Sequence, residues 1–302
     1  METILITGIG LIAKATGKLL SLKGYNVHYL TRNPNRHPTL KAFKWNLSSK
    51  EIDLNAFKNV TTIIHLAGAN IGESRWTKKR KEEILKSRTV STQLLFDTVK
   101  SNNIALDAFV AASAIGYYGA ITTDKIFEEN DTPGSDFLGK TCESWEQTLN
   151  QFTLLNARTV ILRTGVVLAK NESAFQKLIK PFQNNVGASL GSGKQYMPWI
   201  HIKDIANLYL FCIQNKSISG IFNAVAPSYI DNREITEAIS HKLHKKNWLP
   251  NIPSTLLYLL FGEMSKILTA GSRVCPNKII KEGFKFEYKS FGSALDNLLE
   301  NN

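Results

Sequence analysis

The stretch Ile6-Thr7-Gly8-Ile9-Gly10-Leu11-Ile12-Ala13 sets two glycines and one small residue at the spacing G-x-G-x-x-A. That spacing suits an anion. The first glycine permits a tight turn, and the second lets the backbone approach a pyrophosphate. A small third residue lets the following helix pack close to a strand. The free N–H groups of Leu11 and Ile12, at the positive end of that helix, would then face phosphate oxygens. An apolar run at residues 3–6 precedes the turn, and residues 12–22 carry apolar side chains at helical spacing before Gly24. With a second strand at residues 26–30, the whole is a βαβ crossover of about 30 residues. In that context the spacing predicts a bound dinucleotide.

The end of the second strand bears on which dinucleotide. NAD-binding folds usually place an acid about 20 residues beyond the turn, on the adenosine ribose. Residues 26–36 contain no acid. The strand instead runs into Leu30-Thr31-Arg32-Asn33, with Arg36 close behind. A planar guanidinium there suits a 2′-phosphate. The expectation is NADP(H) in preference to NAD(H), held by Gly8, Gly10, Leu11, Ile12 and Arg32.

These residues need a scaffold. Further strands are expected at residues 42–45, 61–66, 109–112 and 159–162, and helices at residues 77–102 and 140–155. Alternating strands and helices predict an α/β fold: a Rossmann-type, doubly wound parallel sheet with helices on both faces. Its ligand loops gather at the carboxyl ends of the strands. Beyond Leu168 the alternation loosens. Residues 185–194 read as a loop, residues 199–202 and 221–223 as short strands, and Asp204 as the N-cap of a helix. The tail is broken by Pro250, Pro253 and Pro276. Residues 1–168 therefore read as the NADP-binding domain, with returning segments around 199–226. Residues 169–302 read as a smaller C-terminal α/β substrate lobe.

Composition narrows the partners. A chain of 302 residues, 43% apolar and 21% charged, is ordinary for a globular protein with a sizeable core. The net charge of +12 is spread along the chain. Its densest run, Lys78-Lys79-Arg80-Lys81, is followed at once by Glu82-Glu83. It reads as the solvated start of a helix rather than a nucleic-acid patch. Cys142, Cys212 and Cys275 are far apart and lack metal-ligand spacing, which suits a reducing, cytoplasmic setting without a metal site. The start of the chain reads as a strand rather than a signal peptide. The apolar run at residues 256–261 is far too short to span a bilayer. A small-molecule substrate is the expected partner, with no nucleic acid and no membrane, on a monomer or homodimer.

A wider set of short motifs follows in one order. His65-Leu66-Ala67-Gly68-Ala69, Arg75-Trp76-Thr77 and Ser87-Arg88 come first. Next are Ser113-Ala114-Ile115-Gly116-Tyr117-Tyr118-Gly119 and Leu162-Arg163-Thr164-Gly165-Val166-Val167-Leu168. Gly191-Ser192-Gly193-Lys194-Gln195, Trp199-Ile200-His201-Ile202-Lys203-Asp204 and Glu282-Gly283-Phe284 complete it. With the glycine turn, this set resembles the extended short-chain dehydrogenase/reductases of the NAD-dependent epimerase/dehydratase superfamily. Within them it resembles the atypical epimerase family proteins that carry a C-terminal domain of unknown function. The resemblance implies that residues 65–69 pass along the cofactor, so Leu66, Ala67 and Gly68 join its contacts. It implies that residues 113–119 line the nicotinamide, that Arg163 touches cofactor and substrate, and that residues 199–204 join the two lobes; read residue by residue, Ala114, Tyr118, Trp199 and His201 are expected to face the substrate.

In such reductases a Tyr, a Lys four residues later and a Ser or Thr carry the proton work, around hydride transfer at the nicotinamide. Here Lys140 matches the Lys, as cofactor contact and catalytic residue. Asp136 stands where the Tyr is due. Ala114 stands where the reacting hydroxyl is due, beside Ser113. The turn is also one residue shorter than the superfamily's Thr-Gly-x-x-Gly-x-x-Gly. Three readings stay open. Tyr117, or Tyr118, supplies the phenol with Ser113 and Lys140; Asp136 works with Lys140; or the site binds NADP(H) with little turnover. The implied function is an NADP(H)-dependent short-chain oxidoreductase or epimerase-like enzyme acting on a small carbonyl or nucleotide-sugar-like substrate. The alternative is an NADP(H)-binding regulatory or sensor protein.

Overall fold

The computed structural model describes residues 2–170 and 173–300. Eight strands form the main sheet. In chain order they are β1 (Thr3–Thr7), β2 (Asn26–Thr31), β3 (Ala42–Asn46), β4 (Glu51–Ile52), β5 (Val60–His65), β6 (Ala108–Ala114), then β8 (Arg158–Thr164) and β11 (Gly220–Ala224). Between these last three lie the short strands β7 (Ile126–Phe127), β9 (Val166–Leu168) and β10 (Trp199–His201); β12 (Arg273–Val274) comes last. The sheet order is β11-β8-β6-β5-β1-β2-β3-β4. Every pairing is parallel except β3 with β4. The chain winds outward in both directions from β1 and β5. Their carboxyl ends therefore diverge into the crevice where doubly wound sheets bind ligands.

Helices cover both faces. They are α1 (Leu11–Leu22), α2 (Lys78–Ser101), α3 (Phe137–Asn150), α4 (Ser173–Gln183), α5 (Ile202–Gln214), α6 (Asn232–Lys242), α7 (Ser254–Phe261), α8 (Lys266–Thr269), α9 (Asn277–Lys281) and α10 (Phe291–Leu299). The side-chain alternation of a strand sorts β1 between two cores. Ile4 and Ile6 join Leu20 of α1 and Leu208 of α5. Leu5 joins Leu95 of α2 and Leu149 of α3 on the other face. With both faces covered, β1 is wholly buried, and this explains its unbroken apolar run.

A third core unites Trp199, Phe175 of α4, Ile235 of α6 and Phe291 of α10. There β9 pairs with β10, outside the main sheet. The next elements, α5 and β11, return to the main sheet, where β11 pairs with β8. The short β7–β12 pair ties the segment after β6 to the C-terminal lobe. Among the described residues no helix is long and apolar enough to cross a membrane. The helix foreseen from Asp204 begins at Ile202 with His201 as its N-cap. Asp204 instead accepts the backbone N–H groups of Glu287 (2.8 Å) and Tyr288 (3.0 Å), pinning the tail to the sheet.

Candidate active site

The glycine turn has the form a phosphate requires. Gly8 sits at φ +80°, the left-handed region that glycine adopts freely. Its N–H bonds to Leu30 O at 2.8 Å. Gly10 is the N-cap of α1 and offers no side-chain cap to the first-turn N–H groups. A Cβ built on Gly10 meets nothing within 4 Å. An uncapped helix start facing open space fits an anion.

Thr7 braces the turn against β5. Its hydroxyl oxygen accepts the N–H groups of Leu66 (3.0 Å) and Ala67 (3.2 Å) and its O–H donates to His65 Nδ1 (2.8 Å). Nε2–H of His65 is left to donate to Thr92 Oγ1 (3.0 Å), which donates on to Arg88 O (2.7 Å). Burial drives the His65 pKa down to about 3, so the ring is a neutral relay of hydrogen bonds. Arg32 follows β2 on the surface, and among the described residues it has no carboxylate partner.

Beyond β5 the carboxyl ends open into a cavity of about 320 Å³, within the size range of small-molecule sites. One wall is Ala114, Ile115 and Gly116 after β6, with Thr164 and Gly165 after β8. Ile84 and Arg88 of α2 and Leu138, Thr141 and Cys142 of α3 form a second. The lobe closes it with Gln195, Met197, Lys266 and Leu268. Gln195 donates to Leu190 O and Leu268 O, both at 2.9 Å, and its buried Oε1 has no partner among the described residues. Among the described residues no carboxylate and no imidazole lines the cavity. Among the described residues no group of three or more His, Cys, Asp or Glu could hold a metal ion. All three cysteines are buried and free.

The structure separates the residues expected to do proton chemistry. Leu138 and Cys142, one helical turn apart, present the cavity face of α3. A Cβ on Gly116 would lie 3.4 Å from Leu138 Cβ and 3.5 Å from Cys142 Sγ. Lys140 is two residues round the helix, is exposed and lies off the cavity wall. Asp136 is the N-cap of α3. Its carboxylate accepts Gly139 N–H at 2.9 Å and Ala120 N–H at 2.8 Å, so both oxygens serve the backbone. Burial and the Glu146 charge push the Cys142 thiol up to about 12.

A second group of expected residues forms a closed network behind the cavity. Ser113 and Arg163 sit side by side on β6 and β8. Ser113 donates to Glu146 Oε1 (2.6 Å), and Arg163 clamps both Glu146 oxygens (2.9 and 2.8 Å). Arg163 also donates to Tyr118 Oη and Glu129 O, both at 3.0 Å. Tyr118 donates to Asn223 Oδ1 at 2.7 Å. The Tyr117 ring lies 3.4 Å from the Arg163 guanidinium carbon. Burial opposes the Arg163 charge, but the hydrogen bonds and charge of Glu146 more than offset it and raise its pKa. Burial pushes the Tyr118 phenol up to about 12 and also raises Tyr117. Four of the five donors of Arg163 are spent inside the protein. Trp199 and His201 lie in the lobe core, not on the cavity wall. His201 accepts Lys203 N–H through Nδ1 and stacks on Tyr288 at 3.8 Å. Burial, aided by Lys203, lowers its pKa to about 4.

Of the expected residues, Ala114 and Tyr118 line the cavity, while Ser113, Tyr117, Lys140, Arg163, Trp199 and His201 do not. Sequence reasoning missed the cavity roles of Arg88, Leu138, Cys142 and Gln195. Only Ser87-Arg88 and Gln195 carried a signal, as parts of the recurring motifs.

Comparison with known proteins places this architecture. Residues 4–224 match the NAD dependent epimerase/dehydratase family, and residues 252–298 match a domain of unknown function, DUF1731. Epimerase family protein YfhF of Bacillus subtilis (strain 168) is 30% identical over 301 residues, covering 99% of this chain and 98% of YfhF. The crystal structure of human epimerase family protein SDR39U1 (isoform2) with NADPH superposes with a TM-score of 0.87 at 27% identity, covering 99% of this chain and 100% of that one. MoeE5 in complex with UDP-glucose and NAD shares the fold, with a TM-score of 0.80 at 19% identity over 99% of this chain and 97% of its own. By sequence and by fold, the chain belongs to the NAD dependent epimerase/dehydratase family.

Proposed function

We propose that this protein binds NADP(H) across the carboxyl ends of β2, β1, β5 and β6 and acts in a redox or epimerase-like step on a small carbonyl or nucleotide-sugar-like substrate in the cavity. The observation that carries the reading is the uncapped, open Gly10 turn at the carboxyl end of β1, with Arg32 just past the end of the neighbouring β2. Gly8, Gly10, Leu11 and Ile12 would hold the pyrophosphate, and Leu66, Ala67 and Gly68 would pass beside it. Arg32 would take the 2′-phosphate, since no carboxylate on residues 26–46 would repel it. The NADPH bound by the human relative supports that preference. A nicotinamide bound here would supply or accept hydride at its C4.

The protein's own part is positioning and exclusion of water. The cavity wall is mostly apolar, with Gln195 held on it by two backbone carbonyls. Leu138 and Cys142 occupy the cavity face of α3, so Lys140 does not reach the wall as the partner of a phenol. Reassigning the expected residues follows. Arg163, Ser113 and Tyr117 act as struts, and Lys140 and Asp136 take no part in chemistry. A second reading, an NADP(H)-binding regulator with little turnover, is favoured by the position of Lys140 off the cavity wall.

The test is NADPH oxidation with a panel of ketones, aldehydes and nucleotide sugars. Turnover that is flat between pH 6 and 9 is expected, because the nearby phenol and thiol titrate at about 12 and His65 at about 3. A bell-shaped profile lost in Tyr117→Phe or Lys140→Ala would restore a phenol–lysine relay. NADPH binding without turnover on any substrate would select the regulatory reading.

A further inference from the structure

Arg88 is a cation on the cavity wall with no acid beside it. Its NH1 donates to Ile84 O (2.9 Å) and Ser87 Oγ (3.4 Å), and its NH2 to Ala69 O (3.1 Å). These partners are neutral. Its guanidinium carbon lies 5.1 Å from the Trp145 ring centroid, within cation–π range. A Cβ on Gly68 would stand 3.4 Å from that carbon, so the guanidinium lies against the loop after β5. A guanidinium has five donors and no acceptor, and some of these remain for a ligand.

The sheet order says which part of a dinucleotide Arg88 meets. Arg32 stands at the end of β2, on one side of the β1–β5 divergence. Arg88 shares its cavity with the ends of β6 and β8, on the other side. A ligand lying across the divergence puts its adenosine half near Arg32 and its nicotinamide half near Arg88. On that stretch α3 contributes Leu138 and Cys142, which carry no charge. Arg88 and Lys266 both line the cavity, and Arg88 is the one that lies against the loop after β5, beside Gly68 and Ala69.

We propose that Arg88, projecting from α2, holds the nicotinamide half of NADP(H) by donating to its ribose or phosphate oxygens. The assignment rests on the cofactor reading above. Arg88 is a positioning and binding residue; a guanidinium stays protonated in proteins and transfers no proton.

The experiment compares NADPH with 2′,5′-ADP, which carries only the adenosine half. Both are titrated calorimetrically against wild type, Arg88→Gln, Arg88→Lys and Arg32→Ala. Arg88→Gln should weaken NADPH at least tenfold and leave 2′,5′-ADP within about twofold, the latter also reporting an intact fold. Arg88→Lys, which keeps the charge but loses the fork, should recover part of the loss. Arg32→Ala should weaken both ligands. Unchanged NADPH affinity in Arg88→Gln, or an equal loss for the two ligands in both Arg88 variants, overturns the assignment. A wild type that binds neither ligand contradicts the cofactor reading itself, which separates the two failures.

Discussion

Arg163 and Arg88 flank α3 and touch neighbouring residues on it, Glu146 and Trp145. They are built for opposite tasks. Arg163 is 1% exposed and bidentate to a carboxylate, with its remaining contacts on Tyr118 and a backbone carbonyl. Arg88 faces the cavity, held by carbonyls and a hydroxyl, with no carboxylate. The resemblance places Arg163 near the cofactor, yet its charge is paired with Glu146 while that of Arg88 is not. The arginine at a strand's carboxyl end is thus tied into a closed network, and the one inside a long helix faces the cavity. What decides between them is the pairing of the charge.

The comparison breaks first on stability. Glu146→Ala should cost about 3–5 kcal/mol, because it leaves the Arg163 charge buried and unpaired. The double variant Arg163→Met/Glu146→Leu should cost much less than the sum of its single changes. Urea denaturation measures both; a loss of under 1 kcal/mol in Glu146→Ala would make the network incidental. Arg88→Gln should barely shift the urea midpoint while it weakens NADPH.

Acid sensitivity comes next. The pKa of His65 is about 3 in the folded protein against 6.5 for a free side chain. As pH falls below 6.5 the unfolded chain binds a proton that the folded chain refuses. Stability should drop by up to about 1.4 kcal/mol per pH unit towards pH 3 and level off below it. Urea midpoints of His65→Gln between pH 7 and 5 should fall less steeply than those of wild type. An identical slope would mean that His65 does not carry this term.

A smaller effect is expected at the adenosine end. Arg32→Ala should cut the preference for NADPH over NADH about tenfold, roughly 1.4 kcal/mol. Lys140→Ala should do least: a stability change within about 0.5 kcal/mol and unaltered NADPH affinity, since the side chain is exposed and off the cavity. A large loss of affinity there would return Lys140 to the site.

The fold was legible because its signals are local and repeated. The apolar run of β1, the glycine turn and the helical spacing of α1 lie within one short stretch, and each later unit repeats the alternation. The turn's role needed only the identities of Gly8, Gly10 and the residues around them. The cavity was harder to read. Lys140 matched a spacing, but helix phase turns it away and brings Leu138 and Cys142 round instead. Asp136 looked like a misplaced acid and is a helix cap. Ser113, Tyr118 and Arg163 carry the residue types of an active site. Their pairing with Glu146 and Asn223, from α3 and β11, depends on which strands lie side by side. Arg88 and Gln195 meet across the cavity from opposite lobes, a proximity that spacing along the chain does not encode.

The central claim is that Arg32 and the shortened turn hold the phosphates of NADP(H). Calorimetric titration of the wild-type protein with NADPH and with NADH tests it most directly. Saturable binding of NADPH, at least tenfold tighter than NADH, is the predicted result. Equal affinities, or no NADPH binding at millimolar concentration, would contradict it.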